Sequence, residues 1–403
     1  MTGRACALEV VIDRVSRRGV CVTFQDRLVL TSFRGPGFDH VRLFAAIIVL
    51  LHHCRGLQYP DIRDDPLLHY SVGFMDFGRF AVIIFFAISG FLVSPGLLRT
   101  ANVVDYAVHR SVRIFPGLIV NVVLTIAVLG PILTTHFVSS YFADPQTYLY
   151  AKNILTLVVN HLPGVITTDG NPASINGALW TLHFEVLCYI LLGLLGAFGL
   201  LSRGNLLLTL WCACYAIYVA IGIFPAFAAA LPDRFSTFVS LFVYFGCGVL
   251  LYLFRARVPF SPVLACAALA LLLAALPLGG GPFAMPICLP YLMMFCGLSA
   301  LPGKVPLKHD LSYGVYLIHA PILLAFSLTF PNMHIWWIGA AVVFLLTLVL
   351  AYASWIFVER PALSRKKVAS TWVQRCINSV TQSLRARAPA QAAATERVGK
   401  MRG

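Results

Sequence analysis

The chain has 403 residues, of which 59% are hydrophobic and only 11% are charged, and its formal net charge is +14. This composition excludes an ordinary soluble domain, in which roughly a quarter of the residues are charged. The excess of lysine and arginine is not accompanied by a motif that recognises nucleotides, which argues against nucleic-acid binding. The apolar segments are about 20 residues long, whereas a membrane β-barrel would show alternating segments of about 10 residues.

Ten apolar segments predict an all-α, polytopic membrane bundle. They lie at about 40–57, 78–98, 114–134, 177–200, 205–223, 235–254, 259–277, 283–301, 310–330 and 335–357. Basic residues are concentrated at the two ends of the chain, where residues 359–403 hold ten lysines and arginines against two acids and residues 1–38 hold six against three. The positive-inside rule therefore places both termini in the cytoplasm, which agrees with an even number of spans. We expect a multi-pass protein of the bacterial cytoplasmic membrane.

Three regions are predicted along the chain. Residues 1–38 form a basic N-terminal cytoplasmic extension, residues 39–367 form the transmembrane domain, and residues 368–403 form a disordered basic tail. The N-terminal region lacks the apolar stretch and small-residue site of a cleavable signal peptide. The eleven cysteines show no metal-ligand spacing and are interpreted as small apolar fillers, so no metal site is expected.

The first span, "VRLFAAIIVLLHHC", contains an arginine and two histidines. Each helical residue turns the side chain by about 100°, so Arg42 and His53, eleven residues apart, lie within about 20° of one face. His52 points about 80° away. This favours His53 as a general base facing a polar interior. The alternative is that Arg42 snorkels to the headgroups and the histidines mark the far interface.

The segment from the second to the third span carries two further signals. In "IIFFAISGFLVS", the pair Ser89 and Gly90 favours close helix packing over a nucleophilic serine. In "HRSVRIFP", Arg110 and Arg113 lie three residues apart on one helical face just before the membrane. They are either ordinary positive-inside residues or a clamp for a phosphorylated cytoplasmic ligand.

The fourth span, "NGALWTLHFEVLCYILL", contains Glu185, the only one of four glutamates deep in a span. A carboxylate inside a membrane requires a partner or a proton. Counting at 1.5 Å per residue places Glu185 about 13 Å below the outer face, close to the level of His53. We therefore expect Glu185 to pair with and orient His53, and the alternative is a structural interhelical hydrogen bond. Thr181 and Tyr189 share its helical stripe.

In the ninth span, "LSYGVYLIHAP", Ser312, Tyr316 and His319 fall within about 60° of one another. A packing role and a substrate contact are equally compatible with this pattern.

These stretches resemble, in order, the motifs of the acyltransferase 3 family of integral membrane acyltransferases over about residues 38–367. The matching pieces are "FDHVRLFAAIIVLLHH", "FFAISGFL", "HRSVRIFP", "ALWTLHFEVLCYILL", "LSYGVYLIHAPIL" and "VERP". The resemblance implies that an acyl group moves from cytoplasmic acyl-CoA to a hydroxyl, usually of a carbohydrate at or beyond the outer face. Ile83 departs from the pattern, since many relatives carry a polar residue there.

The resemblance also implies roles for individual residues. Arg42 and His53 correspond to the functional pair, and Glu185 falls on the fourth-span acid, which makes these three the predicted catalytic residues. The predicted substrate-binding residues are Arg110, Arg113, Asp39, Trp180, Tyr316 and His319. Acyl-CoA, with acetyl-CoA as the default, is expected as a donor substrate, and no permanently bound cofactor is expected. The other expected partners are the lipid bilayer and a carbohydrate acceptor; the oligomeric state stays open.

Two rival functions share the predicted topology. A transporter or flippase of a lipid-linked glycan would show two internal halves with broken helices, which this chain lacks. A glycan polymerase or ligase would be expected to carry arginine-bearing outer loops, whereas Lys152 is the only lysine or arginine in residues 135–176.

Overall fold

A computed structural model describes residues 22–33, 35–56, 61, 64–100, 102–299, 307–333, 335–379 and 382. These residues form an all-α bundle without a β-strand, which confirms the predicted fold class. The ten long helices are α1 (Phe38–Arg55), α2 (Phe77–Thr100), α3 (Val103–Leu124), α4 (Trp180–Ala197), α5 (Gly204–Ile223), α6 (Asp233–Leu253), α7 (Pro262–Ala275), α8 (Gly281–Leu298), α9 (Ser312–Thr329) and α10 (Trp336–Ser354).

Two of these helices continue past a π-helical turn. α3 runs through Thr125–Leu129 into Gly130–Leu133, and α10 runs through Trp355–Glu359 into Arg360–Ser364. The connections contain shorter helices and 3₁₀ segments at Pro66–Tyr70, Val138–Ala143, Pro145–Leu149, Tyr150–Leu155, Gly177–Leu179, Leu200–Ser202 and Pro225–Ala230.

Within the described residues, eight helices are long and apolar enough to cross a membrane. The two other long helices are α1, which contains Asp39, Arg42 and Arg55, and α7, which has 14 residues. At 1.5 Å per residue α7 is about 21 Å long, shorter than a hydrocarbon core of about 30 Å. The multi-pass membrane fold is thus supported, while ten crossings and cytoplasmic termini stay predictions.

The centre of the bundle is built on α2 and α6. A Cβ on Gly90 would lie 2.0 Å from the Phe245 carbonyl oxygen, and one on Gly248 would lie 2.1 Å from the Ala87 carbonyl oxygen. Membrane helices gain their packing energy from such close backbone approach, because lipid supplies little hydrophobic drive between helices. The packing role expected for Gly90 is confirmed. By contrast, only 11% of the apolar stretch of α5 is buried, as expected for a lipid-facing helix.

The N-terminal extension is partly packed into the bundle. Helix Phe24–Leu30 begins with a reciprocal capping box between Thr23 and Asp26, which satisfies free backbone N–H groups. Phe24 is fully buried and stacks on Tyr291 of α8 with ring centroids 5.5 Å apart. Residues 22–33 therefore belong structurally with the bundle, and residues 1–21 lie outside the described residues.

The C-terminal tail is also more ordered than expected. The chain is helical over residues 366–379, and Ser370 is buried and donates a hydrogen bond to Asp105 of α3. Disorder therefore does not begin at residue 368. Most of the remaining tail, 380–381 and 383–403, lies outside the described residues.

Candidate active site

Two cavities enter the bundle near opposite ends of α1. The larger has a volume of about 810 Å³ and is lined by His52 and His53 together with the starts of α2, α4 and α6. The smaller has a volume of about 100 Å³ and is lined by Arg42. Val82 and Tyr316 line both cavities, so the two meet at these side chains.

The contacts of His53 define its tautomer. Its Nδ1 lies 2.9 Å from the Val49 carbonyl oxygen and 3.1 Å from Nε2 of His319. A carbonyl oxygen only accepts, so Nδ1 of His53 carries the proton. By the same argument Nδ1 of His319, 3.1 Å from the Val315 carbonyl oxygen, is protonated and its Nε2 accepts. Nε2 of His53 therefore keeps its lone pair, as a general base requires.

The histidine partner of His53 was not foreseen. His319 is fully buried, and its ring centroid lies 5.1 Å from that of His53. Sequence reasoning placed His319 on a stripe with Tyr316 but could not choose between packing and substrate contact. In the fold, Nε2 of His319 contacts Nδ1 of His53 and so holds the His53 ring in place.

The predicted direct pairing of Glu185 with His53 is not formed, and this expectation is corrected. The Glu185 carboxylate accepts hydrogen bonds from Tyr189, at 2.5 Å, and from Ser89, at 3.2 Å. Glu185 lines the smaller cavity, whereas His53 lines the larger one. α4 turns the carboxylate toward Ser89 of α2 and the Arg42 end.

The two stripes predicted on α4 and α9 face each other at the junction of the cavities. The hydroxyl of Tyr316 donates to the Ala178 carbonyl oxygen at 2.8 Å and contacts the hydroxyl of Thr181. Thr181, Glu185 and Tyr189 all line the smaller cavity, as do Ser312 and Tyr316. Tyr316 is thus held rigidly at the point where the two cavities meet.

A partly buried ion-pair network lies at the Arg42 end. Asp310 precedes α9, and its Oδ2 lies 2.6 Å from Arg113 and 3.1 Å from Arg42. Burial raises the pKa of Asp310, but Arg113 and Arg42 outweigh that effect and hold the pKa well below its usual range. Asp39 pairs with Arg42 at 2.6 Å on the more exposed side. These arginines therefore meet a fixed carboxylate that neutralises part of their charge.

Arg110 differs from Arg113 in its surroundings. Its guanidinium lies 5.8 Å from the ring centroid of Tyr189 and lines the smaller cavity. It forms no ion pair with any described residue, whereas Arg113 pairs with Asp310 and lies 3.9 Å from Glu359. Of the two predicted arginines, Arg110 is the one free to meet an anion in the cavity.

Sequence reasoning missed several acidic residues of this arrangement. Asp310 joins Arg42 to Arg113, and Glu359 is buried and accepts a hydrogen bond from Ser354 at 3.1 Å. The scarcity of glutamates was the available signal for Glu359, which stands in the "VERP" stretch.

His52 also has unexpected partners. It lines the larger cavity despite the expectation that it points away. Its Nδ1 lies 3.1 Å from buried Asp65, and its Nε2 lies 3.8 Å from Asp76. Asp65 in turn accepts from the backbone N–H groups of Leu67 and Leu68. His52 thereby ties α1 to the connection before α2.

The larger cavity also contains Trp180, which begins α4 and is 37% exposed. Most of the predicted site residues line one of the two cavities, with Arg113 in the smaller one, whereas Asp39 and His319 line neither. Arg42, Arg110, Glu185 and Tyr316 line the smaller cavity and His53, Trp180 and Tyr316 line the larger one.

Comparison with known proteins identifies the family of the chain. The family model described as an acyltransferase domain matches residues 36–356. An O-acetyl transferase of Shigella phage Sf6 is 29% identical over 341 residues, covering 81% of this chain and 96% of that protein. Nodulation protein 10 of Rhizobium leguminosarum bv. viciae is 29% identical over 356 residues, covering 81% of this chain and 92% of that protein. No solved structure matches the chain. The chain therefore belongs to the acyltransferase 3 family and is an integral membrane enzyme of the O-acetyltransferase type.

Proposed function

We propose that the protein transfers an acetyl group from cytoplasmic acetyl-CoA to a hydroxyl of a carbohydrate on the opposite side of the membrane. The observation that carries this proposal is the meeting of two cavities, from opposite ends of α1, at Val82 and Tyr316. An enzyme that joins a donor from one side to an acceptor from the other needs such a meeting point.

The donor enters at the Arg42 end. Coenzyme A carries phosphates that cannot enter hydrocarbon, so its nucleotide stays at the surface while the pantetheine arm reaches inward. Arg110 lines the cavity there and forms no ion pair with a described residue, and charge-assisted hydrogen bonds are the strong ones. The narrow cavity, about 100 Å³, favours a short acyl group. The name of the phage relative, O-acetyl transferase, supports acetyl.

Glu185 assists the donor rather than the histidine. Both hydrogen bonds that the described residues give its carboxylate fall on Oε1. The second oxygen, Oε2, is left for an amide N–H of the pantetheine arm. In this role Glu185 positions the thioester beside Tyr316, where the two cavities meet.

The chemistry takes place beside His53. Nε2 of His53 removes the proton from the acceptor hydroxyl as that oxygen attacks the thioester carbonyl carbon. The carbon–sulfur bond breaks, and the leaving thiolate of coenzyme A takes the proton from Nε2 of His53, so the products are the acetyl ester, free coenzyme A and the regenerated base. His319 holds the imidazole in the tautomer that this step requires.

The sidedness can be tested in proteoliposomes that contain the full chain. Radiolabelled acetyl-CoA is supplied on one side only and a soluble glycan mixture is enclosed on the other. Labelled acetyl esters on the enclosed glycan are expected. When the same glycan is also added to the donor side, label restricted to that side would contradict transfer across the membrane, and movement of glycan without label would indicate a flippase instead.

A further inference from the structure

The larger cavity carries basic residues that the proposed chemistry does not use. Arg79, Lys152 and Arg234 line it, and all three are exposed. None of them forms an ion pair within the described part of the chain, in contrast to Arg42 and Arg113 at the other end. Cations without an ion pair beside a cavity attract anions, because an incoming anion does not have to displace a carboxylate of the protein.

The acids of the same cavity do not cancel these cations. Asp76 is engaged, since its Oδ1 accepts from the backbone N–H of Arg79 at 2.7 Å and lies 3.8 Å from His52. Asp233 lies at the exposed start of α6. Neither contact neutralises Asp76, because a backbone N–H is uncharged and His52 is a cation only when protonated, so three cations against two acids leave the cavity one net positive charge.

The cations come from three different parts of the fold. Arg79 lies in the first turn of α2, Lys152 lies in the 3₁₀ segment Tyr150–Leu155, and Arg234 lies in the first turn of α6. Helix starts add partial positive charge, and neither α4 nor α6 has a side-chain cap on its first N–H groups. The positive character is thus a property of the cavity rather than of one segment.

The remaining wall fits a sugar. The exposed ring of Trp180 offers an apolar face to the C–H groups of a pyranose, and His183 lies one turn further along α4. His53 lines the same cavity, so a sugar seated against Trp180 can present a hydroxyl to the base while its charged group meets the cations.

We propose that the acceptor is an anionic carbohydrate, whose carboxylate or phosphate group is bound by Arg79, Lys152 and Arg234. This inference rests on the proposed function, because it assigns the larger cavity to the acceptor. The bound group is either the carboxylate of an acidic sugar or the phosphate of a glycosyl phosphate, and both need the same three cations.

Binding to the purified full chain separates these sources without requiring turnover. Isothermal titration calorimetry is carried out with methyl β-D-glucuronide, α-D-glucose 1-phosphate and methyl β-D-glucoside at fixed ionic strength. At least one anionic sugar should bind about tenfold or more tightly than the neutral glucoside, since charged hydrogen bonds are the strong ones. The tighter of the two anionic sugars identifies the source of the charge.

The triple variant Arg79→Gln, Lys152→Gln, Arg234→Gln should abolish this preference. The matched control carries Arg203→Gln, Arg257→Gln and Arg365→Gln, which removes the same charge from exposed positions outside the cavity and should keep the preference. Equal or tighter binding of the neutral glucoside, no binding of either anionic sugar, or an unchanged preference in the first variant would overturn the inference. Acetyl transfer, measured separately, tests the proposed function independently.

Discussion

The two cavities of this enzyme differ in how their charges are arranged. At the Arg42 end the arginines are partly buried and two of them share one carboxylate, Asp310, inside a narrow space of about 100 Å³. At the His53 end the cations are exposed, form no ion pair with any residue that the structure describes, and surround a space of about 810 Å³. A small entrance whose arginines are largely fixed by Asp310, with Arg110 left for the phosphates, suits a single type of donor, whereas an open and charged entrance suits a larger acceptor.

The largest expected effect is the loss of the base at the wide end. His53→Ala should lower acetyl transfer by about 10²–10⁴-fold, the usual contribution of a general base. His52→Ala should be milder, by about tenfold or less on the same scale, because His52 points its nitrogens at Asp65 and Asp76. The rate of labelled ester formation in membranes measures both. Equal losses in the two variants would break the distinction between the adjacent histidines.

The narrow end should respond mainly in stability. Asp310→Ala would leave Arg42 and Arg113 without their shared carboxylate, and for this partly buried network the loss should approach the cost of about 3–5 kcal/mol for breaking a fully buried ion pair. Thermal unfolding of the detergent-solubilised protein, followed by tryptophan fluorescence, would show the loss. Asp169→Ala, at an exposed position without a described ion pair, is the control and should change little. Full stability of Asp310→Ala would show that the network is not structural.

The junction between the two ends can be closed by a larger side chain. Val82→Phe should block passage of the thioester and lower transfer by roughly one to two orders of magnitude, because overpacking a tight core displaces its neighbours. Val93→Phe, another buried valine of the smaller cavity away from the junction, is the matched control. Kinetics of both variants with acetyl-CoA check this, and equal effects would argue against a passage at Val82.

Donor affinity should depend on the unpaired arginine. Arg110→Ala should raise KM for acetyl-CoA by about 10–100-fold with little change in kcat, since a charged hydrogen bond contributes roughly 1.5–3 kcal/mol. Arg113→Ala should instead lower stability, because it pairs with Asp310. Initial rates at varied acetyl-CoA distinguish the two. A collapsed kcat with an unchanged KM in Arg110→Ala would move this residue into the chemistry.

The smallest effect is expected for the pH dependence of Glu185→Gln. A carboxylate bonded to the imidazole would hold the optimum up, so its loss would move the optimum to lower pH. Since Glu185 bonds to Ser89 and Tyr189 instead, the optimum should stay in place. The pH–rate profile of the variant tests this. A shift of the optimum to lower pH would support the pairing of Glu185 with His53 that the sequence suggested.

Local physics made much of the molecule readable from the sequence. An α-helix satisfies its backbone hydrogen bonds within one segment, so the length of each apolar stretch indicates a helix without knowledge of its neighbours. The fixed turn of about 100° per residue likewise placed Thr181 with Glu185, and Tyr316 with His319, on common stripes. The order of the motifs was sufficient to indicate the family.

The partners of those stripes were decided only by the tertiary structure. Counting along a helix gives the depth of a residue but not its direction around the bundle, which depends on how helices rotate and cross. Close approaches such as that of Gly90 to Phe245 set these rotations. They bring His319 to His53, turn Glu185 toward Ser89, and carry Asp310 between two arginines from distant parts of the chain.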